Sequence, residues 1–375
     1  MSPFSDLEVD LSPAEGYLFT CIDGCELCCL CQPEVMPREV AFFKEHYPER
    51  LIMVDEVYQH LALATREGGG PCSFLLNGKC EIYDHRPRFC RQFPFHLYMG
   101  ERVQAEIDLS CRGVWLDRGE SASSIVEKIV QENQDELAEL LVQTRSSYLQ
   151  FWDNCRVAGV EHDIEELRAD LEAKVDEMDM TYLARMLELS TDDSEIVSPI
   201  EKGAPLDRGE MADLERAVME SALSSLESDS PYDAPVYCDQ KGRWNLFEVR
   251  EGEVHWQILD REGDLNYIAP IDPVEVRISE TALLDTVAFK DYLRTLIRRD
   301  SFWGQAFYLE DLYGHEDYLS NTCIGTFANS ALDLLWRTNL LGKALNIEVG
   351  EELMREGLIF YDMDRLGAPT IGAFF

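Results

Sequence analysis

The sequence predicts an α+β fold. A small cysteine-rich domain built on short hairpins comes first, then a mainly helical region, then a part combining a small antiparallel β-meander with further helices. Nine of the twelve cysteines fall between Cys21 and Cys111. From Ser121 to Asp229 apolar residues recur at helical spacing, with acidic residues on the intervening positions. Residues 235–269 then switch to period two, the spacing of strands. A chain of 375 residues exceeds one ordinary domain, and the divisions this pattern suggests are 1–118, 119–229 and 230–375.

Residues 1–20 read as a short polar arm that enters the cysteine cluster. Pro37 suits the first position of a helix over 37–46. A second helix is expected over 49–67, where Leu51, Val54, Tyr58, Leu61 and Leu63 stand near helical spacing, with Gly68-Gly69-Gly70 ending it. No strand precedes these glycines and no Gly-Lys-Ser or Gly-Lys-Thr follows them, so they are not read as a phosphate loop. Asn77-Gly78 is the pair that best tolerates the positive φ of a two-residue turn, which makes a hairpin of the segments around it and carries Cys72 and Cys80 to one small sheet. Cys90 follows in a short turn or helix after Pro87. A second hairpin runs through 95–107, turns at Met99-Gly100 and delivers Cys111 back toward the cluster.

Helices are then expected over 123–133, 135–155, 163–176, 180–189 and 207–227, with 190–207 as a linker. Strands start at Trp244, Val254 and Leu265, separated by Glu251-Gly252 and Glu262-Gly263-Asp264. Helices resume over 279–299, 329–340 and 350–355. The aromatics Trp303, Phe307, Tyr308 and Tyr313 read as core.

The formal net charge is −39. A surface this acidic repels phosphate backbones, so no nucleic-acid partner is expected. The amino-terminal residues carry neither a basic n-region nor an apolar h-region, and no run approaches the roughly 18 apolar residues of a membrane span. A soluble, cytoplasmic protein is expected, with no membrane partner. Thiols stay reduced in that compartment, so the dense cysteine set points to metal or redox work rather than disulfides.

Thiolates are soft ligands that suit zinc or iron–sulfur iron. Cys25 and Cys28 are two residues apart, which lets the backbone bend around one ion, and Cys21 adds a third sulfur from the preceding turn. Cys28 and Cys29 are adjacent, and consecutive side chains diverge, so they more readily serve different sites, or one ligates while the other packs. Each zinc ion or cluster takes four ligands. Nine cysteines therefore fill one site with spares, or two sites with one spare. Arg86, Arg88, Arg91 and Arg112 flank Cys90 and Cys111 and are candidates to offset the charge of an anionic centre. His85 and His96 read as structural residues near Cys90. Cys155, Cys238 and Cys323 stand alone and read as small buried hydrophobes.

Phe19-Thr20-Cys21, Cys25-x2-Cys28-Cys29, Pro71-Cys72-x-Phe74-Leu75, Cys80-x-Ile82-Tyr83, Arg86-Pro87-x2-Cys90-Arg91-x-Phe93-Pro94 and Cys111-x-Gly113 together resemble the CxxCxxCC (YkgJ-like) cysteine-cluster family, a zinc- or iron-chelating domain. The layout is similar, more distantly, to the cysteine region of flagellin lysine-N-methylases, for which an iron–sulfur cluster is the family expectation. The resemblance spans residues 17–115. It implies metal ligation by Cys21, Cys25, Cys28, Cys29, Cys72, Cys80, Cys90 and Cys111, with an iron–sulfur cluster of the [4Fe-4S] type as cofactor and zinc as the alternative. The first gap is one residue longer than the family name prescribes, and Cys31 is an addition. The functions so implied are a metal-binding protein with a structural or electron-transferring centre, a protein-lysine methylase-like group-transfer enzyme acting on a protein substrate, or a metal chaperone or sensor. No Gly-x-Gly-x-Gly loop follows a strand to supply a standard methyl-donor fold.

The acidity is spread along the chain, and lysine is scarce, with 8 Lys against 25 Arg. This is the pattern of adaptation to a salty interior. The melting temperature is expected to rise as KCl approaches molar concentration, and an unchanged value would reduce the acidity to ordinary surface solubility.

Overall fold

The computed structural model describes residues 7–54, 60–66, 70–197, 199–278 and 281–375. Its amino-terminal part is made of short strands and turns. β1 (Val9–Asp10) and β2 (Leu18–Phe19) lead into a 3-10 turn at Leu27–Cys29. α1 (Val40–His46) matches the predicted first helix. β3 (Leu51–Val54) and β4 (His60–Leu63) then pair antiparallel, Leu51 opposite Leu63 and Val54 opposite His60.

This hairpin replaces the helix expected over 49–67; residues 55–59 and 67 lie outside the described residues, as do Gly68 and Gly69 of the glycine run. The reason is non-local. Val35 N donates to Leu61 O at 2.7 Å and Leu63 N to Pro33 O at 3.0 Å, so an upstream segment extends the ladder. Leu51, Leu61 and Leu63 pack with Val35, Phe43, Cys72 and Phe74 in a small core of their own. Short apolar runs do not distinguish strand from helix by period alone.

β5 (Leu75–Leu76) and β6 (Lys79–Cys80) form the expected hairpin. Asn77 and Gly78 both have positive φ, 51° and 70°, as the tight turn demands. α2 (Arg88–Gln92) carries Cys90. The second hairpin is β7 (Phe95–Met99) and β8 (Val103–Ile107), with Phe95 opposite Ile107 and Met99 opposite Val103. β9 (Glu120–Ser121) pairs with β2.

The helical region follows its predicted course as α3 (Ala122–Glu132), α4 (Gln134–Ala158), α5 (Ile164–Lys174), α6 (Met180–Ser190) and α7 (Arg208–Leu226). Asp163, Asp179 and Asp207 accept hydrogen bonds from the first free N–H groups of α5, α6 and α7. These caps explain why the starts were legible. The linker over 190–207 is described apart from residue 198.

β10 (Val236–Cys238), β11 (Trp244–Arg250), β12 (Glu253–Leu259) and β13 (Leu265–Ile271) form a four-stranded antiparallel meander in sequence order, one strand more than the three predicted. α8 (Val287–Arg298) is shorter than the expected helix over 279–299 and starts at a Thr286 cap; residues 279 and 280 lie outside the described residues. α9 (Asp300–Leu312) was not predicted, and α10 (Leu319–Leu345) and α11 (Glu351–Leu366) are much longer than expected. α10 is buried on most sides by α6, α7, α9 and α11. A helix enclosed this way shows no amphipathic period to read. Trp303 and Phe307 are core as predicted, whereas Tyr313 is 63% exposed.

β14 (Ala373–Phe374) pairs with β7 and completes a sheet of order β1-β8-β7-β14. The main core runs from Ala14 through this sheet and the helices to Phe375. No described helix is long and apolar enough to cross a membrane.

Between the sheet and α11 lies a buried charge network. Arg299 donates to both carboxylate oxygens of Asp362, at 2.6 and 2.8 Å, and to Ile107 O at 2.7 Å. Glu106, beside Arg299, accepts from Ser301 N and from the Ser301 hydroxyl. Burial pushes the Glu106 carboxyl up to about 7, against the pull of Arg299 and Ser301. The fold thus favours protonated Glu106. Its stabilisation is complete below the ordinary value of 4.5 and is lost as pH rises through about 7. At 1.36 kcal/mol per unit this loss is on the order of 3 kcal/mol. Glu106→Gln is expected to shrink the fall in melting temperature between pH 5 and 8, measured by calorimetry; the same fall in both proteins would show that Glu106 is ionised throughout.

Candidate metal centre

The cysteine loop after β2 is tight because Gly24 and Glu26 both have positive φ, 83° and 48°. Leu27 is driven into a small core with Leu75, Trp244 and Leu246, against which Cys25 and Cys29 also pack. Cys72 N donates to Cys29 O at 2.7 Å, so the Cys72 segment is stitched to this loop. Cys80 sits opposite Leu75 in the β5–β6 hairpin. Cys90 projects from α2, and Cys111 precedes a 3-10 turn at Arg112–Trp115. Thr20 N donates to Gly113 O at 3.3 Å, tying the Cys111 turn to the strand before Cys21.

The outcome is one cavity of about 510 Å³ whose wall includes Cys21, Cys25, Cys28, Cys29, Cys72, Cys80, Cys90 and Cys111. All eight cysteines singled out from the sequence are brought together. Among the described residues no three His, Cys, Asp or Glu side chains converge on a single ion-sized point. The sulfurs are instead distributed around the wall.

Burial raises the thiols of Cys21, Cys72, Cys80, Cys90 and Cys111, Cys72 to about 11. Cys28 is lowered by a hydrogen bond from Cys29, which is itself held high by the same contact. Arg86 lines the cavity. Its field lowers Cys21, Cys28, Cys80 and Cys90 alike, and its guanidinium is 3.8 Å from the centre of the Tyr83 ring. Arg91 also lines the cavity and pairs with Glu39 at 3.3 Å.

The other two arginines point elsewhere. Arg88 lies 3.6 Å from the centre of the Phe375 ring and donates to the Met36 sulfur. Arg112 forms a part-buried ion pair with Glu356 and donates through Nε to Cys238 O at 2.6 Å. They support the backbone around the cavity, and the charge of Arg112 also lowers the thiols of Cys25 and Cys238. Cys31 lies outside the eight. It lines a neighbouring cavity of about 340 Å³ with Cys28, Cys90 and His96. His96 is held neutral there, its pKa lowered to about 4 by burial. His85 packs against Phe42.

Residues 20–112 match the CxxCxxCC family. That family is described as a "Putative zinc- or iron-chelating domain". No curated protein and no solved structure matches the chain. The CxxCxxCC match takes in all eight cavity cysteines, and together they support metal binding by this segment. The donor set fits a thiophilic metal, because the cavity offers sulfur from several directions and a guanidinium to balance it.

Two arrangements lie outside the CxxCxxCC segment. His315 Nδ1 stands 3.7 Å from Cys155 Sγ, and His315 Nε2 stands 3.3 Å from Asp311. Cys155 is completely buried, and burial raises its thiol to about 12, so this group is a structural contact rather than a nucleophile. Cys238, on β10, has its sulfur 3.7 Å from that of Cys25, 213 residues away in sequence. It is buried, as predicted, but among thiols rather than hydrocarbon alone. No spacing rule reaches across that distance.

Gly113 is a point of close approach in the centre's frame. A Cβ there would meet Thr20 O at 2.3 Å, and a backbone oxygen cannot swing aside. Gly113→Ala is expected to cost about 1–3 kcal/mol and to lower the metal bound per chain, since it pushes the Cys111 turn away from the Cys21 strand. Unchanged melting temperature and metal content would show that this contact does not set the cavity.

Proposed function

We propose that residues 20–112 hold an iron–sulfur cluster of the [4Fe-4S] type, with its ligands drawn from Cys21, Cys25, Cys28, Cys29, Cys72, Cys80, Cys90 and Cys111, and that the protein is a metalloprotein whose centre is structural or electron-transferring. The observation that carries this reading is the single cavity of about 510 Å³ with all eight thiols on its wall. Sulfurs spread around a cavity of that size suit a multi-iron group better than one zinc ion, whose four thiolates lie only about 3.8 Å apart at Zn–S lengths of about 2.3 Å. When bound, the cluster supplies a one-electron couple or a covalent staple.

The chain's own residues do the rest. The thiols must lose their protons to bind, so loading releases protons and draws on the field of Arg86. The Cys29–Cys72 backbone hydrogen bond and the Thr20–Gly113 contact hold widely separated ligand segments at fixed distance. Leu27, Phe74 and Ile82 form an apolar margin to the cavity, which limits water around the sulfurs and so bears on the potential of any cluster there.

The test is anaerobic purification with iron, zinc and acid-labile sulfide measured per chain beside an optical spectrum. Iron with sulfide and broad visible absorption is expected. Stoichiometric zinc in a colourless protein would replace the cluster by zinc. Absence of both metals, with stability unaltered in Cys72→Ser and Cys90→Ser, would end the metal reading altogether.

A further inference from the structure

We infer that Cys238, from the C-terminal meander, is a metal ligand that shares one ion with Cys25. This rests on the metal-binding reading above: each iron of a [4Fe-4S] cluster takes one cysteine, so Cys25 here serves a separate ion and the cluster's four ligands come from the other seven cavity cysteines. The two sulfurs are 3.7 Å apart. That is too far for a disulfide, whose S–S bond is about 2.05 Å. It matches the separation of about 3.8 Å between two thiolates on one tetrahedral ion with metal–sulfur bonds of about 2.3 Å. Cys25 lies on the wall of the eight-thiol cavity, and Cys238 is completely buried.

The backbones that carry the two sulfurs are clamped together. Trp244, opposite Cys238 across the β10–β11 pair, donates its indole N–H to Cys25 O at 3.1 Å. Arg261 donates to Gly24 O at 3.1 Å and to Gly242 O at 2.6 Å, pairs with Glu26 at 2.9 Å and lies over the Trp244 ring. Arg112 donates to Cys238 O from the other side. These contacts fix the approach of the Gly24–Glu26 loop to the β10–β11 turn. Two guanidinium groups, Arg112 and Arg261, stand close enough to balance thiolate charge there. Such fixing holds a ligand pair at one separation, as metal sites require of their supporting residues. A pair of neutral thiols needs none of it, since S–H is only a weak hydrogen-bond donor.

The experiment uses the full chain, purified anaerobically as wild type, Cys238→Ser and Cys323→Ser. Iron and zinc are counted per chain, and sulfur coordination is read from X-ray absorption at the metal edge. Cys238→Ser is expected to lose an ion or to replace one sulfur ligand by a lighter atom. Cys323→Ser, a buried thiol on α10 away from the cavity, is expected to match wild type. Wild-type metal content and sulfur count in Cys238→Ser would overturn the inference while leaving the metal reading intact. Wild type without metal would overturn both.

A second measurement needs no variant. Wild type, loaded or stripped by chelator, is treated with a diazene oxidant, which removes two hydrogens from a thiol pair to leave a disulfide, and is then peptide-mapped. A Cys25–Cys238 disulfide is expected in the stripped protein and suppressed in the loaded one. No difference between the two states would overturn the inference.

Discussion

Asp362 and Arg299 hold the molecule's two halves in register. Both are buried, and a buried ion pair is tolerable only when the remaining donors and acceptors are also matched. Here they are. Asp362 takes two hydrogen bonds from Arg299, one from the Tyr292 hydroxyl at 2.7 Å and one from Leu109 N at 2.7 Å. Arg299 also reaches Ile107 O, and the neighbouring Met363 N donates to Ser110 Oγ at 2.7 Å. Residues 107–110 are therefore positioned by Arg299 at the α8–α9 junction and by α11. The next residue is Cys111. A carboxylate on the penultimate turn of α11 thus decides where a thiol of the N-terminal cavity stands.

The same dependence recurs on the cavity's opposite flank. The loop that carries Cys25 has its floor in the meander, through Trp244, Arg261 and the Leu27 plug. Glu356 of α11 holds Arg112 and the Tyr237 hydroxyl, and Arg112 holds the carbonyl of Cys238. The cysteine segment contributes the sulfurs, but much of its geometry is borrowed from residues beyond it. Gln92 of α2, two residues after Cys90, donates to Phe375 O at 2.6 Å, which extends the pattern to a third cavity thiol.

Much of this was legible in the sequence wherever the determinant was local. Asn77-Gly78 marks its hairpin because few other pairs accept two positive φ values in a row. Asp163 and Asp207 mark helix starts because a carboxylate there satisfies free N–H groups. The eight cysteines were recognisable as a set because their neighbours, such as Arg86-Pro87 and Phe93-Pro94, travel with them. The failures share one physical origin, which is that tertiary partners decided the outcome. β3 and β4 are strands because residues 33–35 lie beside them. α9 and α10 carry no amphipathic stripe because other elements cover them on several sides. Arg88 and Arg112 sit next to cavity cysteines in sequence, yet their side chains follow Phe375 and Glu356. Cys238 had no motif around it at all, and only the folded chain sets it against Cys25.

The position of the meander also imposes an order in time. Cys21 to Cys111 leave the ribosome as a group, but the strand that floors the Cys25 loop comes more than a hundred residues later. At about 5–20 residues per second this is a delay on the order of ten seconds. During that interval the growing chain offers a crowded row of thiols with the support beneath the Cys25 loop still unmade. Whatever loads or shields them must either act after synthesis or accompany the nascent chain.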